Sequence, residues 1–206
     1  MSTSEEGGYH HGDLRAALLS SAMGMLESGE PFSLRAIARK AGVSPTAPYR
    51  HFKDRDAVES ALAAEGFRDL FADLGDSRDM PGSLPELAEF AVVYVDFALG
   101  RPALFRLMFG KPCDDTDDER VKAAGALHNL LARALDRVSP EADTSALATA
   151  GWGLAHGMAC LYLDGKLRAP SRDEVADQVR RAFGAIAIAP VVPSTQSARG
   201  SRRTHC

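Results

Sequence analysis

Apolar residues recur every three or four positions through most of this chain, which is the spacing of one face of an α-helix. The clearest series lies between Pro85 and Pro102, with apolar side chains at positions 87, 90, 91, 94, 97 and 98. The apolar run at 91–95 would suit a strand on its own, but it lies inside this helical series. No segment alternates as a convincing strand does, so the pattern predicts an all-α fold.

Prolines and glycines divide the chain into segments of helical length. Besides the segment between Pro85 and Pro102, the periodicity predicts helices at 13–27, 34–40, 45–51, 55–74, 103–109, 118–138, 144–166 and 172–188. Residues suited to N-capping precede four of these helices: Ser33, Ser44, Asp54 or Asp56, and Ser171. From residue 190 onward the chain is turn-rich and poor in bulky apolar side chains, which predicts a disordered tail over 190–206.

The segment 33–53 has the outline of a helix-turn-helix. Its first helix has four positions predicted to be buried: Leu34, Ile37, Ala38 and Ala41. Gly42 follows where a left-handed residue ends a helix, and Pro45 takes the first position of the second helix. Pro48 removes a backbone hydrogen bond to Ser44, so the second helix should be short and held by packing rather than by propensity.

Charge is unevenly distributed along the chain. The net charge is −4, but residues 31–55 carry six basic side chains against one acidic one, which makes this window +5 and the remainder −9. The six basic residues are Arg35, Arg39, Lys40, Arg50, Lys53 and Arg55. A local basic face on an acidic protein suits an anionic partner such as the DNA backbone. A solvated helix face would show the same pattern, so charge alone leaves both interpretations open.

Length and composition argue against several other classes of protein. The 206 residues are 45% hydrophobic, which is enough for one sizeable core or two small ones. No apolar stretch approaches the roughly 20 residues of a membrane span, and residues 1–8 lack the basic start and apolar middle of a signal peptide. Cys113, Cys160 and Cys206 share no CxxC spacing, so neither a disulfide framework nor a zinc site is expected. A cytoplasmic protein fits these features best.

The motifs of common catalytic and metal sites are missing as well. The sequence has no HExxH, no GxSxG, no Walker loop and no Cys/His pairing. The acidic run at 114–119 lacks the glycine and the glutamate that an EF-hand loop requires. We therefore expect no catalytic residue, no metal site and no cofactor, and we predict that the protein is not an enzyme.

Three adjoining motifs resemble the N-terminal DNA-binding domain of the TetR family of transcriptional regulators. They are Ser-Leu-x-x-Ile-Ala at 33–38, Ala-Gly-Val-Ser at 41–44 and Ala-Pro-Tyr-Arg-His-Phe-Lys-Asp at 47–54. The segment Tyr-His-His-Gly-Asp-Leu-Arg at 9–15 is similar to one branch of that family. Downstream, Pro-Ala-Leu-Phe-Arg-Leu-Met-Phe at 102–109 and Trp152-x-x-x-His156-Gly157 resemble the ligand-binding region of a subgroup with a Trp-His-Gly signature.

The resemblance implies a helix-turn-helix domain at 9–55, a helical ligand-binding and dimerisation domain at 56–189, and the tail at 190–206. It assigns DNA contacts to seven residues, the first four in the major groove and the others on phosphates: Arg35, Ser44, Pro45, Thr46, Tyr49, His51 and Lys53. It also implies a homodimer through the helices near 144–166 and 172–188. Two recognition helices would then meet successive major grooves of a near-palindromic operator.

Eight side chains are candidates for lining a small-molecule cavity in the C-terminal part: Phe90, Tyr94, Phe97, Phe105, Met108, Phe109, Trp152 and His156. His156 or Tyr94 would supply the polar group of such a cavity. Aromatic residues and methionine at helical spacing are also usual core residues, so a structural role stays open for each.

Together these features predict a ligand-responsive DNA-binding repressor that a small molecule releases from its operator. The alternatives are an activator, or a helix-turn-helix protein that acts through protein contacts.

Overall fold

The computed structural model describes residues 11–75, 80–110 and 119–187. This part of the chain contains eight α-helices, one short 3-10 helix and no strand, so the predicted all-α fold is confirmed. The α-helices are α1 (His11–Glu27), α2 (Leu34–Lys40), α3 (Arg55–Asp73), α4 (Leu84–Gly100), α5 (Pro102–Phe109), α6 (Glu119–Val138), α7 (Thr144–Leu163) and α8 (Arg172–Ala187). The 3-10 helix, Ala47–Arg50, lies between α2 and α3. The tail at 190–206 and most of the acidic run at 114–119 lie outside the described residues.

Most of the predicted capping signals operate in the structure. The side chains of Ser33, Asp54 and Ser171 accept hydrogen bonds from backbone N–H groups three residues later, at 3.2, 2.9 and 3.2 Å. Asp54, rather than Asp56, therefore caps α3. Gly42 has a φ of 70°, and its N–H and that of the next residue bond back to carbonyls in the last turns of α2. These two bonds form the Schellman arrangement, which favours glycine at the left-handed position.

The second helix of the helix-turn-helix differs from the prediction. The pattern predicts an α-helix over 45–51 capped by Ser44, but the structure has a single 3-10 turn preceded by Thr46, with no side-chain cap. Pro48 has no N–H and cannot form the bond to the Ser44 carbonyl that an α-helix requires. The Ala47 N–H bonds that carbonyl instead, at 3.0 Å. The element is short, as predicted, and Ala47 and Pro48 are buried.

Helix α7 is three residues shorter than predicted. It ends at Leu163 instead of residue 166 because Gly165 has a φ of 66° and turns the backbone out of the helix. The Lys166 N–H then bonds the Leu161 carbonyl at 2.8 Å, which satisfies an acceptor that the helix leaves open. The chain can therefore reverse direction before α8.

Two hydrophobic clusters share helix α3. The N-terminal cluster joins α1, α2, Phe52 and the first turns of α3, which contribute Val58 and Leu62. The larger C-terminal cluster begins with the later turns of α3, including Phe67 and Leu70, and extends to α8. One continuous helix therefore belongs to both cores, and its first turns complete the small N-terminal one.

Arg101, at the junction of α4 and α5, adds a polar link between the two clusters. Its guanidinium donates to Glu27 at the end of α1 at 2.8 Å and to Asp69 of α3 at 2.5 Å. Hydrogen bonds to these two carboxylates raise the Arg101 pKa and offset the opposing effect of its partial burial. This three-residue group ties α1 to the helices of the C-terminal domain.

Candidate nucleic-acid interface and internal cavity

Helix α2 separates a buried apolar face from an exposed basic face. Leu34, Ile37 and Ala38 are buried against α1 and α3, whereas Arg35 and Arg39, one turn apart, are exposed. The spacing of the apolar residues thus decides which side of the helix its arginines occupy.

Six of the seven predicted DNA-contact residues are exposed: Arg35, Ser44, Pro45, Thr46, Tyr49 and Lys53. Tyr49 is 52% exposed as a residue, although tyrosine usually packs its ring on neighbouring residues. The Ser44 and Thr46 hydroxyls lie 3.2 Å apart on the connection into the 3-10 turn. His51 differs from the others because it is half-buried, with its ring tilted against Phe52.

Four basic side chains of this segment have no carboxylate partner among the described residues: Arg35, Arg39, Arg50 and Lys53. The other two are paired. Lys40 lies 3.2 Å from Glu30, and Arg55 lies 2.8 Å from Glu59 while its guanidinium covers the Phe32 ring. Exposed positive charge without a local counter-charge is the electrostatic signature of a surface that binds a polyanion. We refer to these four residues together with residues 44–46 and Tyr49 as the basic surface.

A cavity of about 630 Å³ lies between α4, α6, α7 and α8. Three of the eight predicted ligand contacts line it: Phe90, Tyr94 and Trp152. Its volume falls in the range of small-molecule sites, and its walls are mostly leucine, alanine and phenylalanine side chains. A ligand site in the C-terminal domain remains a prediction.

The other five predicted contacts do not line this cavity: Phe97, Phe105, Met108, Phe109 and His156. Three of them belong to the short helix α5, whose apolar face packs against α3 and against the aromatic rings of α7. Phe97 is buried on α4, and His156 of α7 lies against the rings of α5. Phe109 meets Phe67 of α3 edge to face at a centroid distance of 5.3 Å, and His156 stacks on Phe105 at 5.4 Å. The sequence pattern alone does not distinguish this aromatic cluster from a cavity wall.

A chain of hydrogen bonds connects the aromatic cluster to the cavity wall. Trp152 Nε1 donates to the Tyr94 hydroxyl at 3.2 Å, and that hydroxyl lies 2.9 Å from His156 Nδ1. His156 Nε2 lies 3.5 Å from Cys160 Sγ. The Trp152 N–H, the Tyr94 O–H and both imidazole nitrogens are used if Tyr94 donates to Nδ1 and the neutral imidazole donates from Nε2.

Burial favours the uncharged forms of the three titratable side chains in this series of hydrogen bonds. It raises the pKa of the Tyr94 phenol and of the Cys160 thiol, and it lowers the pKa of the His156 imidazole. A neutral His156 agrees with the hydrogen-bond directions, which need Nδ1 as an acceptor. His156 is therefore a structural partner of Tyr94 here and lies outside the lining of this cavity, whereas Tyr94 lies in it. That either of them supplies the polar group of a ligand site stays a prediction.

The predicted ligand contacts include no residue of α6 or α8, although both helices contribute to the cavity wall. From α6 come four leucines and one half-buried histidine: Leu127, Leu130, Leu131, Leu135 and His128. From α8 come Phe183 and Ile186. The spacing of 127, 131 and 135 marks one helical face, so periodicity identifies these residues as inward-facing but cannot say that they border empty space.

The described part of the chain holds neither a candidate metal site nor a candidate membrane span. No group of three histidine, cysteine, aspartate or glutamate side chains there could hold a metal ion. None of the helices described is long and apolar enough to cross a membrane.

Comparison with known proteins gives the class of the fold. Residues 87–183 match the family described as "Tetracyclin repressor-like, C-terminal domain". A solved protein of unknown function from Rhodococcus sp. RHA1 is 35% identical, with a TM-score of 0.71 over 86% of this chain and 97% of its own. A TetR/AcrR-family transcriptional regulator from Thermobifida fusca YX-ER1 is 20% identical, with a TM-score of 0.61 over 83% of this chain and 96% of its own.

A curated relative from Haemophilus influenzae, an uncharacterized HTH-type transcriptional regulator, is 27% identical over 131 residues. The match covers 61% of this chain and 63% of that protein, so this chain spans less than two thirds of the relative's length. A helix-turn-helix joined through one long helix to a helical region with a cavity is the arrangement found in DNA-binding regulators that carry a separate regulatory domain. Within that class, the matched C-terminal region and the fold are similar to those of the TetR family of transcriptional regulators.

Proposed function

We propose that this protein is a ligand-responsive transcriptional repressor that acts in the cytoplasm and binds a near-palindromic operator as a homodimer. The basic surface carries the proposal, since four cationic side chains without described carboxylate partners surround an exposed Ser44-Pro45-Thr46 connection on the helix-turn-helix. In this arrangement, Arg35 and residues 44–46 contact bases, while Tyr49, Lys53 and His51 contact phosphates. The half-burial of His51 limits its share of the phosphate contacts.

The outward face of α7 supports the homodimer. Small or apolar residues recur there at helical spacing, and each is exposed and outside the cavity lining: Ala146, Gly153 and Leu161. Such a face lets a second helix approach closely and hides apolar area when it does. Helix α8 lies beside α7 and would complete the interface, in agreement with the predicted pairing of these two helices.

Selection of genomic DNA fragments by the purified protein at moderate salt, followed by footprinting, tests the proposal. A protected near-palindrome with two half-sites one helical turn apart is expected. A transcription assay on the selected promoter then separates the alternatives, because a repressor lowers the transcript and an activator raises it. Absence of enrichment at every salt concentration would favour a protein-contact role.

Two substitutions test the assignment of contacts. Lys53→Ala should weaken binding to all sequences and reduce the slope of log affinity against log salt by about 2, since each subunit of the dimer loses one phosphate contact. Thr46→Ala should instead change the relative affinity for operator variants. Lys166→Ala, which removes an exposed lysine from the C-terminal domain, is the matched control and should leave the salt slope unchanged. Unchanged affinity and specificity in both interface variants would contradict the assignment.

A further inference from the structure

The cavity between α4, α6, α7 and α8 has five polar or charged side chains in its lining: Glu89, Tyr94, His128, Trp152 and Arg180. What each of them has left to offer a ligand decides which class of molecule fits. The remaining lining residues are apolar or glycine, so their contribution is mainly the burial of hydrocarbon surface.

The two charged groups satisfy each other. Arg180 donates from Nε and from its second terminal nitrogen to the two carboxylate oxygens of Glu89, at 2.7 and 2.9 Å. Both side chains are about half exposed, so this ion pair lies at the rim of the cavity. Arg180 also donates to Asp177 at 3.0 Å. An anionic ligand would have to displace Glu89 from a two-pronged contact and would remain next to its carboxylate.

The two polar groups on the inner wall are also engaged. Tyr94 and Trp152 belong to the hydrogen-bond chain that runs to His156 and Cys160, in which the Trp152 N–H and the Tyr94 O–H are already donated. A ligand group that took either bond would leave a buried polar atom without its partner. The inner wall therefore provides shape and apolar contact.

His128 is different, because it has hydrogen-bonding capacity left over. It lines the cavity from α6, is half-buried, and makes no hydrogen bond with another described residue. Its ring lies 6.1 Å from that of Trp152. In the neutral form an imidazole offers one donor and one acceptor, so His128 can serve one hydroxyl, carbonyl or amine group.

The approach to the cavity is apolar. Three of the five large hydrophobic side chains that are exposed in the described chain lie in its lining: Leu84 at 48% exposed, Leu147 at 40% and Ile186 at 61%. They come from α4, α7 and α8 and make the rim of the cavity opening apolar. Such an entrance favours the passage of a molecule that sheds its water easily.

We propose that this cavity binds an uncharged, largely hydrocarbon molecule with one hydrogen-bonding group, which His128 holds. This assignment deepens the proposed function and rests on it for the regulatory meaning of the ligand. The binding itself can be tested without knowledge of the operator.

A matched pair of fluorescent probes tests the charge of the ligand. N-phenyl-1-naphthylamine is uncharged and has one N–H, while 8-anilinonaphthalene-1-sulfonate has the same skeleton with a sulfonate added. Titration of the full chain should give saturable binding of the first probe and at least about tenfold weaker binding of the second, since burial of an unpaired anion is costly. Equal or tighter binding of the sulfonate at the cavity would overturn the proposal.

Two glycine substitutions show whether the probe occupies the cavity. A Cβ at Gly151 would lie 3.9 Å from the Phe183 ring, so the side chain of Gly151→Leu enters the space between α7 and α8. Gly125→Leu is the control, because that glycine lies on α6 outside the lining with open space around it. Gly151→Leu should weaken the uncharged probe at least about tenfold while Gly125→Leu leaves it unchanged. Equal affinities in the two variants would place the probe elsewhere and refute the assignment.

Competition against the bound probe tests the role of His128. 2-Naphthol and 2-methylnaphthalene differ by a hydroxyl in place of a methyl group, and His128→Leu should weaken 2-naphthol about fivefold relative to 2-methylnaphthalene. No change in that ratio would contradict the role of His128. DNA binding is measured on the same preparation: loss of probe binding with intact DNA binding rejects this inference alone, and the reverse result rejects the proposed function alone.

Discussion

At the scale of single residues, the Tyr94 hydroxyl is the most consequential polar atom in the C-terminal core. It accepts from Trp152 and pairs with His156 Nδ1, and the Tyr94 side chain is almost fully buried. Its removal leaves a donor and an acceptor in the core that the surrounding apolar side chains cannot satisfy.

Tyr94→Phe should therefore lower the free energy of unfolding by about 1–3 kcal/mol, measured by urea denaturation. Tyr162→Phe is the matched control. Its hydroxyl donates to Gln178 at 2.6 Å in a less buried setting, where water can replace the lost bond, so the loss should be about 1 kcal/mol or less. Equal losses of unfolding free energy in the two variants would show that the buried hydrogen bonds of Tyr94 stabilise the fold no more than the half-exposed bond of Tyr162.

His156 makes stability depend on pH in a defined direction. Burial lowers its pKa below the ordinary value of 6.5, so at slightly acidic pH the unfolded chain binds a proton that the folded protein does not. Stability should consequently be greatest above pH 6.5 and fall as the pH drops below it. His156→Asn keeps an acceptor near Tyr94 but cannot titrate, so its Tm should change less over this range. A Tm that falls with acidification equally in both proteins would assign the effect to other groups.

The sequence predicts on which helix face these residues lie but not which of their polar atoms bond one another. The spacing of Trp152 and His156 places them on one helix face, and Tyr94 lies on the apolar face of α4. Which of these polar atoms bond one another depends on how α4 and α7 are set side by side, a distance of about 60 residues along the chain. The sequence therefore suggests polar groups of a cavity where the structure has a closed hydrogen-bond chain.

At the scale of elements, the close approach of α3 and α5 depends on one glycine. A Cβ at Gly66 would lie 2.7 Å from Met108 Sδ and 3.1 Å from a Leu104 methyl carbon, and both of those side chains are fully buried. Gly66→Ala should destabilise the fold by about 1–3 kcal/mol through overpacking.

Gly24→Ala is the control for this prediction. Gly24 also lies inside a helix, but nothing lies within 4 Å of the position its Cβ would take. The alanine there should raise stability by about 0.5–1 kcal/mol because it restricts the unfolded chain and favours the helix. Chemical denaturation gives the free energy of unfolding of both variants. If both substitutions raise it, α3 and α5 are farther apart at Gly66 than the structure shows.

Helix ends follow local chemistry, and so most of them are predictable. Capping side chains and a left-handed glycine begin and end α2 where the sequence indicates. The error over 45–51 has a local cause too, because Pro48 removes the N–H that would continue an α-helix. The sequence predicts that Pro48 shortens this helix. That the short helix is a 3-10 turn and not an α-helical turn depends on the packing of Ala47 and Pro48 against the core.

At the scale of the whole molecule, α7 is the element that should join two copies. Leu161→Arg places a charge on its outward apolar face and should convert the dimer to monomers in sedimentation velocity, with much weaker operator binding because two half-sites are no longer engaged together. Leu84→Arg is a control with similar exposure on α4 and should stay dimeric. A monomeric wild-type protein, or a dimer unaffected by Leu161→Arg, would contradict this interface.

The sequence by itself determined the all-α class, the position of nearly every helix and the basic helix-turn-helix, because hydrophobic period, capping residues and local charge act over a few residues. Tertiary structure decided what the C-terminal side chains do. Packing of α5 against α3 keeps three of the eight predicted ligand residues out of the cavity lining, and two more, Phe97 and His156, also lie outside it. The arrangement of α4, α6, α7 and α8 opens a cavity where periodicity indicates only buried faces. Empty space, unlike a helix, has no signature in the order of residues, since it depends on distances between segments far apart in the chain.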